Sequence, residues 1–260
     1  MKIWQHWQNR IRHDFKHDFK QGFKHCFKQG INLLIPPQCP GCHAIVHDDG
    51  LCGQCWSRIK RITPPLCIQC GRGFPYAAGI ERCVRCLTQP PDFDRAIAGF
   101  GYNAMSRRLI LGLKYAKRHD VTPAIARMMA NAGGECLQEA DWIIPLPLHW
   151  TRYYQRGFNQ SAELAHAIIK AAHIPADKYR PDLLKRIKKT ESQGHKNRQQ
   201  RQRNMQGAFQ VTDPANCIKN ASVLIIDDVL TTGASLSSAA RCLKKAGAKH
   251  VAVLLAARVG

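Results

Sequence analysis

The sequence predicts an α/β fold, a mainly parallel sheet with flanking helices, joined to a small N-terminal module held together by metal. Three observations predict it. The C-terminal residues read strand, helix, strand; eight of twelve cysteines form four C-x-x-C pairs between residues 39 and 86; and 260 residues suit one sizeable core plus an appendage. The expected division is residues 1–38 as a basic amphipathic extension, 39–90 as the cysteine module and 91–260 as the α/β domain.

Taken in order, the chain first shows Phe15, Phe19, Phe23 and Phe27, each followed by a lysine. Spacing of i, i+4 puts these aromatics on one helical stripe, continued upstream by Ile11, Trp7 and Trp4. Such a basic amphipathic helix suits docking on its own protein, an anionic membrane surface or nucleic acid. Pro36 and Pro37 close the segment, and residues 87–92, with Pro90 and Pro91, read as a linker. Beyond it, residues 96–102 read as a strand, 106–116 and 123–137 as helices, and 142–146 as a buried strand. After a loop, 159–172 is helical, and a long basic stretch then runs to Phe209. Residues 223–226, 235–246 and 251–255 form a βαβ unit, the reason to expect parallel strands.

The cysteine module comprises Cys39 and Cys42, Cys52 and Cys55, Cys67 and Cys70, and Cys83 and Cys86. Two residues between thiolates let a tight turn present both sulfurs to one tetrahedral ion, and two pairs complete a site. Sequential pairing gives two Zn2+ sites; interleaved pairing is also compatible with the spacing. Four thiolates leave no open position, so the role is structural: the metal supplies the core that this short segment lacks. An iron–sulfur cluster and redox dithiols are the competing readings. A disulfide framework would require export, but the N-terminus lacks a secretory apolar core and cleavage site. No stretch approaches the roughly 18–20 apolar residues that cross a bilayer. A cytoplasmic location is expected.

The chain carries 39 basic and 18 acidic residues, a net charge of +21. Residues 178–203 hold ten basic and two acidic residues, and residues 1–38 seven and two. Charge of this size points to an anionic partner or to a solvated surface.

The run from Val223 to Ser235 places Asp227 and Asp228 at the end of a buried strand, then Thr231, Thr232, Gly233, Ala234 and Ser235 before a helix. Successive backbone N–H groups of such a loop, with the positive end of the helix, can cradle a phosphate. The carboxylates can accept hydrogen bonds from vicinal ribose hydroxyls. The run is neither a Walker loop nor a dinucleotide fingerprint. It resembles the 5-phosphoribosyl-1-pyrophosphate (PRPP) loop of type I phosphoribosyltransferases.

Further stretches resemble one branch of that group, the ComF/GntX family of competence-associated, phosphoribosyltransferase-like proteins. They are the paired cysteines, Leu113-Lys-Tyr115, Pro145-Leu-Pro147, Arg156-Gly-Phe-Asn-Gln160, and the Thr190, Gln193, Arg201, Asn204 spacing leading to Ala208-Phe209. The resemblance covers nearly the whole chain. It implies an N-terminal double zinc ribbon and a type I phosphoribosyltransferase-like domain. Arg156 and Gly157 would lie in a strand-to-helix loop that binds pyrophosphate, Lys114 would add charge at the pocket rim, and Mg2+ would accompany PRPP.

Two functions follow from the resemblance. One is handling of incoming single-stranded DNA during transformation, alongside other competence or DNA-processing proteins. Lys185, Arg186, Lys188, Lys189, Lys196, Arg198, Arg201 and Arg203 would track phosphates, and Phe74, Tyr76, Tyr153 and Tyr154 are candidate stacking faces. The basic stretch occupies the place of the loop that closes over such sites. The other function is an active phosphoribosyltransferase with an unknown acceptor, in which Asp227, Asp228 and Arg156 are the catalytic candidates.

Overall fold

The computed structural model describes residues 36–47, 50–75, 79–115, 118, 120–188 and 205–260. The Phe/Lys repeat, Tyr76, Lys189, Thr190, Gln193, Lys196, Arg198, Arg201, Arg203 and Asn204 lie outside them.

Four parallel strands form the central sheet: β1 (Arg95–Gly101), β2 (Trp142–Pro145), β5 (Ser222–Leu230) and β6 (His250–Arg258), in the order β1-β6-β5-β2. Helices cover both faces, which explains why β5 and β6 are apolar runs rather than alternating ones. Along β5, Leu224 and Ile226 pack into one layer and Val223 and Ile225 into the other. The first layer is built by α3 (Ala104–Tyr115), α4 (Val121–Glu139) and α6 (Gln160–Ala171), through Leu109, Leu113, Ile125, Met129, Leu164 and Ile168. The second is built by α7 (Ala234–Lys245), through Leu236, Ala240 and Leu243. Two elements refine the expected order. A short helix α5 (Trp150–Arg156) stands where a loop was expected, started by the buried His149, whose side chain accepts from the Thr151 N–H. Within the long basic stretch, β3 (Leu184–Arg186) pairs antiparallel with β4 (Phe209–Val211).

The cysteine module contains two five-residue helices, α1 (Gly53–Ser57) and α2 (Val84–Thr88). Its first half seats on α3. Cys39, Cys55 and Ile59 join the core around Met105 and Leu109, and Arg108 Nη1 donates to the Gly41 carbonyl at 2.9 Å. Its second half seats on β1, where Gln69 accepts from the Ala96 N–H at 2.8 Å and Gln69 Nε2 donates to the Phe93 carbonyl at 3.3 Å. The linker is short and tied down: Arg241 grips Asp92 through two hydrogen bonds of 3.0 and 2.9 Å. Among the described residues, no helix is long and apolar enough to cross a membrane.

Candidate functional site

Sequence neighbours pair at the metal sites. Cys39, Cys42, Cys52 and Cys55 form one cluster and Cys67, Cys70, Cys83 and Cys86 the other, the four sulfurs of each lying within 4.8 Å of one another. A tetrahedron with Zn–S bonds of about 2.3 Å has edges of about 3.8 Å. Separations of 3.5 Å between Cys42 and Cys52 Sγ and 3.6 Å between Cys70 and Cys83 Sγ come close to that. The residues therefore fit zinc. Backbone donors favour thiolates: Cys39 Sγ accepts from the Gly41 and Cys52 N–H groups and Cys67 Sγ from that of Cys83. Burial opposes ionisation of Cys39, but the backbone donors outweigh it and bring its pKa down to about 6.

At the C-terminal edge of the sheet, where α/β folds bind ligands, lies a cleft of about 710 Å³. It gathers Lys114 from α3, Arg156 from α5, Asp227 and Asp228 from β5, and the whole run Thr231, Thr232, Gly233, Ala234 and Ser235. Three separate stretches of chain, α3, α5 and β5 with the loop after it, thus bring together residues singled out in the sequence. Gly233 adopts φ 77° and precedes α7, so the chain turns sharply between strand and helix; Thr232 Oγ1 accepts from the Ala234 N–H at 3.5 Å.

The two carboxylates are held differently. Asp228 is 4% exposed, pairs with Lys114 Nζ at 3.0 Å and accepts from Gln160 Nε2 at 3.0 Å. Gln160 in turn accepts from Arg156 Nη1 at 3.0 Å, so one buried amide links the acidic pair to the arginine across the cleft. Asp227 accepts from Ser161 Oγ at 2.9 Å. Burial, with the charge of Asp228 second, pushes its pKa up to about 7, against the weaker pull of Lys114 and Ser161. Gln160 and Ser161 begin α6 behind the N-cap Asn159, whose side chain accepts from the Ser161 N–H at 3.0 Å.

Three placements differ from expectation. Arg156 ends helix α5 rather than lying in a loop, and Gly157 is the left-handed residue that terminates that helix. Arg152 and Gln155, four and one residues before Arg156, also line the cleft, a helical face invisible while the segment reads as a loop. Arg186, grouped by sequence with the DNA-tracking cations, lines the cleft from β3, its guanidinium over the Phe209 ring at 5.7 Å. Burial, then the charge of Arg152, lowers its pKa to about 10. Lys185 and Lys188 are exposed. Phe74 is half-buried against the second cysteine cluster, whereas Tyr153 and Tyr154 are 52% and 82% exposed.

This arrangement offers carboxylates that can accept from vicinal hydroxyls and a loop that can meet a phosphate, with Lys114, Arg152, Arg156 and Arg186 lining the same cleft. Comparison with known proteins identifies both parts of the chain. Residues 30–87 match the double zinc ribbon domain and residues 159–260 the phosphoribosyl transferase domain. The chain is 32% identical over 209 residues to "DNA utilization protein YhgH" of Salmonella typhimurium, covering 78% of this chain and 88% of that protein. It is 29% identical over 223 residues to "Competence protein F" of Haemophilus influenzae, covering 83% and 94%. It is 26% identical over 206 residues to "Competence protein ComFC" of Bacillus subtilis, covering 77% and 80%. With paired cysteine clusters and a parallel sheet in one chain, and with these relatives, this protein belongs to the ComF family, a double zinc ribbon joined to a phosphoribosyltransferase-type domain.

Proposed function

We propose that this protein serves DNA uptake and use in the cytoplasm by binding single-stranded DNA and holding PRPP in the cleft; its relatives are named for DNA utilization and for competence. The observation that carries the pocket reading is the Arg156–Gln160–Asp228–Lys114 chain of contacts. It joins a candidate pyrophosphate-binding arginine to a candidate ribose-binding carboxylate through a buried amide. Asp227 and Asp228 would accept from the ribose hydroxyls, the Thr231–Ser235 backbone would take the 5-phosphate, and Arg152 and Arg156 the pyrophosphate. The acidic pair supplies oxygen ligands of the kind Mg2+ takes, and the ion would neutralise pyrophosphate charge.

The DNA reading is supported by the net charge of +21 and by the exposed aromatics of α5. Trp150, Tyr153 and Tyr154 are 64%, 52% and 82% exposed on a segment, residues 148–158, that contains arginines and no acidic residue. Aromatic faces beside cations suit unpaired bases. Exposed Lys185 and Lys188 extend the cationic surface.

Calorimetric titration of PRPP with Mg2+ into the zinc-loaded protein tests the pocket. Binding is expected in the native chain and lost in Asp228→Ala. No binding to the folded native chain would refute it. Titration of labelled single strands at increasing salt tests the DNA reading, which requires affinity to fall steeply with salt.

A second reading, transfer of the phosphoribosyl group at the anomeric carbon of such a ligand, is supported by Asp227, Asp228, Arg152 and Arg156 lining one cleft. Attack of an acceptor there would break the bond to pyrophosphate. Arg152 and Arg156 would stabilise the departing pyrophosphate, and Asp227 and Asp228 the positive charge developing on the ribose. Release of pyrophosphate in the presence of candidate acceptors would distinguish transfer from binding alone.

A further inference from the structure

The second half of the cysteine module reaches the loop of residues 231–235 through Arg85. We propose that the second cysteine cluster is the loop's anchor, with Arg85 and Arg258 as positioning residues that transmit the metal-held shape of the ribbon to residues 231–235.

Arg85 lies on α2 between the ligands Cys83 and Cys86, and its Nη2 donates to the backbone carbonyl of Thr232, inside the loop. A trans peptide is planar, with its C=O and N–H pointing to opposite sides. Fixing the Thr232 carbonyl toward the ribbon therefore turns the Gly233 N–H away from it. The loop is the wall between two spaces. Thr232, Gly233 and Ala234 line the large cleft, and they also line a cavity of about 240 Å³ shared with Arg85, Cys86 and Arg258. Away from the ribbon is toward the cleft, where a phosphate needs donors.

Arg258 acts at the loop's base. It ends β6 and is 5% exposed, with Nε donating to the Cys70 carbonyl at 2.8 Å and Nη2 to Cys70 Sγ at 3.2 Å. Four thiolates on one Zn2+ carry a net charge of −2, which offsets the buried guanidinium; protonated thiols would not. Arg258 is in register with Leu230, and the Val259 N–H donates to the Leu230 carbonyl at 3.0 Å, one residue before the loop. The contact has little slack. Gly71, between the two ligand pairs of the second cluster, holds φ 64°, and a Cβ there would stand 2.6 Å from the Ala96 carbonyl on β1. The first cluster is seated instead on α3, through Gly41 and Cys55 against Arg108 and Met105.

The proposal assigns a ligand to the loop only through the reading above, but the anchoring itself can be measured without a ligand. Hydrogen exchange of the peptide spanning residues 228–236 is followed by mass spectrometry in the full zinc-loaded chain. In Arg85→Ala, with both zinc ions retained, exchange of this peptide is expected to accelerate about tenfold. Arg85→Lys should restore part of the protection, and Arg82→Ala, an exposed neighbour on the same ribbon, should change nothing. PRPP affinity should fall by about the same factor as protection in Arg85→Ala. Unchanged loop exchange in Arg85→Ala at full zinc content would overturn the anchoring. If the native chain binds no PRPP, the pocket reading fails, while the exchange result still decides the anchoring.

Discussion

Asp227→Asn should make the protein more stable and less able to bind. In the folded chain this carboxyl keeps its proton up to about pH 7, against an ordinary value of 3.8. Between those limits the folded state holds a proton that the unfolded state has released, so stability falls as pH rises through this window. Each pKa unit corresponds to about 1.4 kcal/mol, which sets a ceiling of about 4 kcal/mol above pH 7. Cleft water screens a partly exposed carboxylate, and the amide NH₂ must be desolvated in its place, so the expected gain is about 1–2 kcal/mol at pH 8. For a chain of this size that raises Tm by roughly 2–8 °C. Scanning calorimetry of both proteins between pH 5.5 and 8.5 measures it, above the range where acid strips zinc from thiolates. The gain should shrink toward pH 5.5, while on the proposed reading of the cleft PRPP affinity falls at least about tenfold, since the amide lacks the charge that would hold ribose hydroxyls and Mg2+. A pH-independent gain, or a lower Tm at pH 8, would refute the buried-carboxylate argument.

Gln160→Leu removes the link between Arg156 and Asp228 and leaves the carboxylate short of a buried donor; a loss of about 1–3 kcal/mol in denaturant titration is expected, together with weakened PRPP binding. Cys86→Ser should lower bound zinc from two to about one per chain by atomic absorption and expose the second ribbon half to proteolysis, because metal binding is part of its folding energy. Replacing Lys185 and Lys188 with alanine should weaken single-strand binding alike for all sequences. The log–log salt slope should become shallower by about 1.4, two phosphate contacts at about 0.7 each.

Much of the site was legible in the sequence because it is local in the chain. Asp227, Asp228 and residues 231–235 follow one another between a strand and a helix, so their order alone fixes which end of the sheet they occupy. The C-x-x-C pairs are legible for the same reason, since a knuckle turn spans four residues. Gln160 was not, although it sat inside a motif with Arg156: its function depends on facing β5, 68 residues away. Helix α5 was missed because seven residues rich in aromatics carry no apolar periodicity, and with it went Arg152 and Gln155.

The sequence by itself determined the metal ligands, the parallel βαβ core and the acidic pair with its small-residue loop, all set by short-range spacing and by burial on both faces of the sheet. Tertiary structure decided which cysteine pairs cluster together, that Arg186 enters the cleft, that Arg85 reaches the Thr232 carbonyl and that Arg258 reaches Cys70. Those contacts join residues 147 and 188 positions apart. Such pairs arise from how layers pack, and no local pattern encodes them.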